Sequence, residues 1–262
     1  MLELWPRLKF PVYATPFTAA LLEAKCASEP GAPKILVNIV ALGSRFNVGP
    51  FDIELVTMAH SIPESNALII RTAGGTVLHT GDWKIDPTPI LHDPTDEKKL
   101  RALGKEGCLA LVGDSTNAVR EGRSPSEADV AKTIAELVKS ARGRVAVTTF
   151  ASNVARLRAV ADAARAADRE VVVIGRAMER VVQIARETGY LEGVQDFRPM
   201  GNSSIAMTVK TSRVERGDNV RRYWEDLSRG GLHRRPHRAV GYRWVEVRPT
   251  LASVWCNQRT PR

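Results

Sequence analysis

ALIIRTAGGTVLHTGDWKIDPTP, residues 67–89, is the stretch on which the fold turns. Two apolar runs, 67–72 and 76–80, flank Ala73, Gly74 and Gly75, and glycine supplies the positive φ that a hairpin turn needs. The two glycines are a turn and not a phosphate loop, since no GxxxxGK[ST] occurs anywhere in the sequence. The second run delivers Asp82, in GDWKIDPTP, to a strand end. Just upstream, FDIELVTM (51–58) alternates as another strand and hands over to His60, in MAHSIPESNA.

Outward from this hairpin the chain divides near residue 105. Towards the N-terminus, residues 15–28 read as a helix with Thr15 as N-cap and Pro16 at the first helical position, and 35–41 read as a strand. Beyond residue 105 the rhythm changes. Strands at 108–113, 144–149 and 170–174 alternate with helices at 125–140, 152–167 and 177–188, the first of them capped by Ser124 with Glu127 three positions on. Such alternation predicts a parallel sheet that holds all three strands. Residues 201–262 show no sustained apolar period, and a mostly irregular, loosely attached tail is expected there. Three units follow: residues 1–105, residues 106–200, and a basic tail at 201–262.

Composition narrows the function classes. At 262 residues with 44% hydrophobic and 26% charged side chains, the chain is an ordinary globular protein, neither disordered nor collagen-like. No apolar run reaches the roughly 18 residues of a membrane-spanning helix. MLELWPRLKF has no apolar core of a secretory signal. Cys26, Cys108 and Cys256 are far apart and form no CxxC pair, which fits reduced thiols in a cytoplasmic protein. The net charge of +9 is misleading. Residues 201–262 hold 13 basic and 5 acidic side chains, a net +8, and residues 1–200 hold 25 and 24, a net +1. The basic balance therefore says nothing about nucleic acid binding by the body of the chain.

Five histidines are candidates for chemistry: His60, His79, His92, His233 and His237. A histidine and an aspartate at neighbouring strand ends, His60 and Asp82, offer an imidazole nitrogen and carboxylate oxygens, both good zinc ligands. By spacing alone, a lone histidine and a lone aspartate at strand ends more often serve capping and hydrogen bonding. Asp114, in LVGDSTNA, ends a buried strand, where functional groups of open sheets gather, yet it can equally cap a turn. His79 reads as a packing residue and His92 as a solvated loop residue. Pro236 and flanking arginines argue against a metal pair at His233 and His237.

WPRLKFPVYATPFTAALLEAK (5–25), LGSRFNVGPFDIELVTMAHSIPESNAL (42–68), TVLHTGDWKIDPTP (76–89), LVGDSTNA (111–118), EGRSPSEADV (121–130) and TTFASNVARL (148–157) together resemble bacterial ribonuclease J, of the β-CASP branch of the metallo-β-lactamase superfamily. The likeness runs from about residue 5 to about residue 198. It implies an α/β chain: a partial metallo-β-lactamase fold, the β-rich part of an αββα sandwich, followed by a partial β-CASP parallel α/β domain. It also implies a zinc-dependent 5′-to-3′ exoribonuclease and endoribonuclease with two zinc ions, RNA as partner, and self-association. By the same resemblance His60 and Asp82 match metal ligands, Asp82 bridging the ions. Asp114 matches the acidic residue of the first β-CASP motif, which supports the catalytic region. No residue is singled out for RNA binding.

Two departures qualify the resemblance. The family's His-x-His-x-Asp-His motif does not occur in this sequence. In the family it precedes the segment matched by residues 5–25, so the first half of the β-lactamase domain is expected to be missing. After about residue 200 an arginine- and tryptophan-rich stretch replaces the later β-CASP motifs, as an out-of-frame reading of a GC-rich gene would produce. Two rivals stand beside an active ribonuclease: a catalytically inactive remnant or RNA-binding fragment, and another hydrolase of the β-lactamase fold.

Overall fold

A computed structural model describes residues 5–119 and 121–198, together with the backbone of three strands further on, 206–211, 243–247 and 252–256. The chain opens with a short helix α1 (Trp5–Leu8), strand β1 (Val12–Ala14) and helix α2 (Pro16–Ser28). Thr15 is the N-cap of α2 and Pro16 its first helical residue, as the sequence predicts. Strand β2 (Val37–Ile39) pairs with β1 in parallel, a two-stranded sheet set apart from the others.

The next four strands form an antiparallel meander: β3 (Arg45–Val48), β4 (Phe51–Thr57), β5 (Asn66–Thr72) and β6 (Gly75–His79). The hairpin expected at 73–75 is present, closing on the Thr72–Gly75 pair. Gly75 has φ +134°, a backbone conformation that favours glycine. Helix α3 (Glu97–Glu106) covers this sheet. Asp96 caps it, accepting from the Lys99 N–H at 2.9 Å. Leu103 of α3 packs on Val56, Met58, Ala67, Ile69 and Leu78, a small separate core.

Strand β7 (Ala110–Val112) corrects one expectation. It pairs in parallel with β6 and completes the order β3-β4-β5-β6-β7, so it does not join the later parallel sheet. Its three residues are exposed, which makes it an edge rather than the buried strand its apolar sequence suggests.

The α/β part follows: α4 (Glu127–Ser140), β8 (Val145–Thr149), α5 (Val154–Ala166), β9 (Glu170–Ile174) and α6 (Arg176–Glu187). The capping box of α4 is Ser126 with Asp129, two residues beyond the predicted Ser124 and Glu127. Strands β8 and β9 are parallel, as predicted, but they are not neighbours. Strand β10 (Ala206–Thr211) lies between them, parallel to both. Strands β11 (Arg243–Val247) and β12 (Ala252–Cys256) form an antiparallel hairpin on the far side of β8, giving the order β11-β12-β8-β10-β9. Three segments of the 201–262 stretch are thus strands, which the aperiodic sequence there did not reveal. The rest of that expectation, with His233 and His237, lies outside the described residues.

The main core joins the two ends of the described chain. Ile134, Val138, Val145, Val147, Leu157, Val160, Val171 and Met178 are buried together with Phe17 of α2. Helix α2 thereby packs on α6 rather than on the first sheet alone. Replacing Leu157, which is fully buried, by alanine is expected to cost about 2–5 kcal/mol in urea unfolding. Leu111→Ala on the exposed edge strand should stay within about 0.5 kcal/mol, and a comparable loss there would mean that β7 is covered in solution.

Candidate metal centre

His60 and Asp82 sit on two segments that run side by side. Ala59 and Lys84 form an antiparallel bridge, with the Lys84 N–H donating to the Ala59 carbonyl at 3.1 Å. Buried Thr95 clamps the bridge. Its hydroxyl accepts from the Ala59 N–H and donates to the Lys84 carbonyl, both at 2.9 Å. His60 and Asp82 therefore flank one isolated bridge, three residues past the ends of β4 and β6.

The His60 imidazole is half-buried, and its Nδ1 is enclosed with no hydrogen-bond partner. Burial pushes its pKa below the usual 6.5, opposed by the Asp82 carboxylate and reinforced by the Lys84 ammonium; Asp114 and Glu127 pull upward as well. A neutral, unpartnered ring nitrogen is what a metal ligand requires. Asp82 is exposed, and its carbonyl accepts from the Ser65 hydroxyl at 3.4 Å. Asp114 lies within electrostatic reach of His60. Hydrogen bonds from the Thr116 hydroxyl and N–H, with some help from His60, hold its carboxyl below the ordinary range. It borders a cleft of about 1160 Å³ between residues 83–88 and 114–129, whose wall includes Trp83, Lys84, Asn117 and Arg123. The Trp83 indole N–H donates to the Asp114 carbonyl at 3.1 Å and ties the two sides together.

The donor types suit a borderline metal ion, but their number falls short. Among the described residues no three His, Cys, Asp or Glu side chains converge as a metal site, and a catalytic zinc takes three protein ligands. His60 and Asp82 are a partial set.

Several residues around the site carry no signal as isolated letters. Glu64, at φ +61°, accepts from the Phe17 N–H at 2.7 Å and from the Tyr190 hydroxyl at 3.0 Å. It fastens the His60 loop to α2 and to the chain beyond α6. Burial, with the Glu64 charge, raises the Tyr190 pKa. His92 is half-buried and its Nε2 meets the His60 carbonyl at 3.0 Å, so it is not the solvated residue expected. His79 is exposed and accepts from the Gly81 N–H at 3.1 Å, so it is not a packing residue.

A buried charge network lies beneath. Lys84 Nζ is 2.9 Å from Asp86 Oδ2 and 3.3 Å from Glu127 Oε1, and Arg156 Nη2 is 3.3 Å from Glu127 Oε2. Asp86 also accepts from the N–H groups of Glu127 at 2.9 Å and Thr88 at 3.0 Å. The sequence offers Glu127 only as a capping-box partner of Ser124; the structure gives the box to Ser126 and Asp129 and turns Glu127 to the network.

Comparison with known proteins follows this geometry. The family described as "Ribonuclease J, beta-CASP domain" matches residues 142–212, past the end of the resemblance expected at 198. A ribonuclease J of Sinorhizobium meliloti is 56% identical over 195 residues, 74% of this chain and 35% of that one. One of Helicobacter pylori is 41% identical over 190 residues, 72% of this chain and 27% of that one. One of Thermus thermophilus is 41% identical over 186 residues, 70% of this chain and 32% of that one. This chain thus spans between 27% and 35% of the length of these relatives. A crystal structure of a protein of unknown function from Enterococcus faecalis has the same fold, with a TM-score of 0.55 over 83% of this chain and 61% of that one, at 18% identity.

Fold and matched residues define a mixed α/β protein of the β-CASP class, consistent with a metallo-β-lactamase-type architecture. Within that class the chain belongs to the ribonuclease J family. No helix among the described residues is long and apolar enough to cross a membrane.

The charge network makes a pH prediction. Burial alone would raise the Asp86 carboxyl, but Lys84 and the two backbone N–H groups outweigh it and hold it below its usual 3.8. A folded pKa below the unfolded one gives stability that is complete above about pH 4 and is lost as pH falls through the folded value. The destabilisation by Asp86→Asn, read from urea unfolding, should be largest near pH 7 and shrink below about pH 4. A pH-independent difference would contradict an ionised Asp86.

Proposed function

We propose that this chain carries part of the catalytic centre of a zinc-dependent ribonuclease of the ribonuclease J type, a cytoplasmic enzyme of RNA processing and decay. His60 and Asp82 are metal ligands in this reading, and Asp114 supports the catalytic edge of the cleft. The division into residues 1–105, 106–200 and 201–262 and self-association belong to the same proposal. One observation carries it: in a chain 56% identical over 195 residues to a ribonuclease J, the buried His60 Nδ1 has no protein partner and its segment is joined to that of Asp82 by the Ala59–Lys84 bridge.

When bound, paired zinc ions acidify a water and stabilise the charge that develops on an attacked phosphate. The chain's own part is to keep the His60 imidazole neutral by burial, to present Asp82 at the surface, and to hold their two segments together at one clamped bridge. Hydrogen bonds from Thr116 keep Asp114 ionised at the rim of the cleft. A second reading, that residues 1–262 alone are without catalysis, is favoured by the partial donor set. Both readings hold together if the remaining ligands come from sequence that the relatives have beyond the matched stretch.

The test has two arms. Residues 5–198 are grafted in place of the matching stretch of the Sinorhizobium meliloti ribonuclease J and assayed on 5′-monophosphorylated RNA. Hydrolysis should survive the graft and fall by about 100-fold or more on Asp82→Ala or His60→Ala. A graft whose activity is indifferent to both substitutions overturns the ligand assignment. In the second arm, residues 1–262 with excess zinc or manganese should release no nucleotides. Release that disappears on Asp82→Ala would overturn the partial-site reading, and release that survives it marks a contaminating nuclease.

A further inference from the structure

The charge network beneath the site reaches it through a single residue. The Lys84 backbone is bonded to Ala59, beside His60. Its side chain is anchored to Asp86 and Glu127. Asp82 is two residues away, and Trp83 between them is tied to the Asp114 carbonyl. Glu127 opens α4, and its second oxygen is held by Arg156 of α5. Arg156 is 1% exposed and is not on the cleft wall.

We propose that Arg156 is a positioning residue for the metal-facing edge: through Glu127 and Lys84 it fixes residues 82–84 against the α/β part, an assignment that rests on the reading of His60 and Asp82 as ligands. Stability alone does not explain the network, because well-packed apolar side chains commonly stabilise a joint as well as a buried ion cluster does. Apolar packing was available, since Leu157 and Val160 beside Arg156 in the same helix are fully buried. What ion pairs and hydrogen bonds add is direction. Glu127 engages Lys84 with one oxygen and Arg156 with the other, while its own N–H binds the Asp86 that also binds Lys84. This closed ring sets the offset between the 82–86 segment and the start of α4. Sliding the segment by one residue would break the Lys84 pairs and the Asp86 hydrogen bonds together. Arg156 stands outside this ring and braces it through one contact, Nη2 to Glu127 Oε2 at 3.3 Å, with its Nε enclosed and unpartnered; a guanidinium suits that place because it stays charged when buried.

The test uses the full 262-residue chain labelled with ¹⁵N. The Trp83 indole signal is assigned by its loss in Trp83→Phe and the His60 ring signals by their loss in His60→Gln. Glu127→Gln and Arg156→Lys should move both sets of signals, with the Trp83 indole shifting towards a free indole, while circular dichroism stays unchanged. Val160→Ala, a destabilising control in the same helix, should move neither. If either network variant fails to fold, the charge-balanced Lys84→Met/Glu127→Gln pair replaces it, with the same shifts expected. Signals that stay in place while stability falls would show a purely structural network and overturn the proposal. Zinc affinity, measured separately by chelator competition, should fall by about tenfold in Arg156→Lys. Moved signals in a chain that binds no zinc even as wild type would leave the interlock standing and sink the ligand reading.

Discussion

Glu127 is the side chain on which the joint between the sheet and the helices depends. It is 6% exposed, yet it carries a full charge in contact with Lys84 and Arg156, while Asp86 supplies the fourth charge and makes the cluster neutral. Desolvating four charges is tolerable only when each has partners, and removing one leaves its neighbour buried and uncompensated, a loss of about 3–5 kcal/mol. The arrangement also uses the start of α4. Asp86 accepts the Glu127 N–H at the helix N-terminus, where unsatisfied donors and the helix dipole favour a carboxylate. Because Ser126 and Asp129 form the capping box between them, the Glu127 side chain is left free to face inward.

Glu64 makes the second fastening by a different physical route. Its partners are a backbone N–H and a phenol, so it works through hydrogen bonds rather than an ion pair. Those partners belong to the main core: Phe17 is fully buried there, and Tyr190 packs edge-on against it with ring centroids 5.7 Å apart. The loop that carries His60 is thus held at one end by the Thr95 clamp and at the other by Glu64. An imidazole on so constrained a loop loses little freedom on ligation, which is the condition for a precise site.

Much of the fold was legible from local chemistry. Thr15-Pro16 marked the start of α2, the two glycines marked the hairpin, and the apolar runs marked β8 and β9. What failed was non-local. Leu109, Leu111 and Val112 read as a buried strand because apolar letters do not say whether a neighbouring strand covers them, and β7 is an edge. Strand β10 was missed because the surrounding composition is arginine-rich and aperiodic, while its place between β8 and β9 is set by parallel pairing with strands far back in the chain. At the site, His60, Asp82 and Asp114 stood out as chemical types in recognisable segments. Glu64, His92 and Arg156 did not, since a glutamate on a loop or an arginine in a helix usually faces water, and only tertiary packing turns these inward.

The network also changes how the chain's positive charge bears on RNA. Residues 1–200 are nearly neutral overall, and two cations are already committed, Lys84 on the cleft wall to Asp86 and Glu127, and the buried Arg156 to Glu127. Their charge is cancelled locally and cannot be counted as phosphate-binding potential. Arg123 is the other cation on the described wall, opposed by Asp114, Glu97 and Asp129 on the same wall. Such a cleft lacks the one-signed field that steers polyanions over a distance. In the proposed ribonuclease reading, affinity for a phosphodiester at this edge comes from short-range partners, with neutralisation supplied at the carboxylates themselves. Metal ligation at Asp82 would do that, turning the acidic rim from an obstacle to RNA into the point of its attachment.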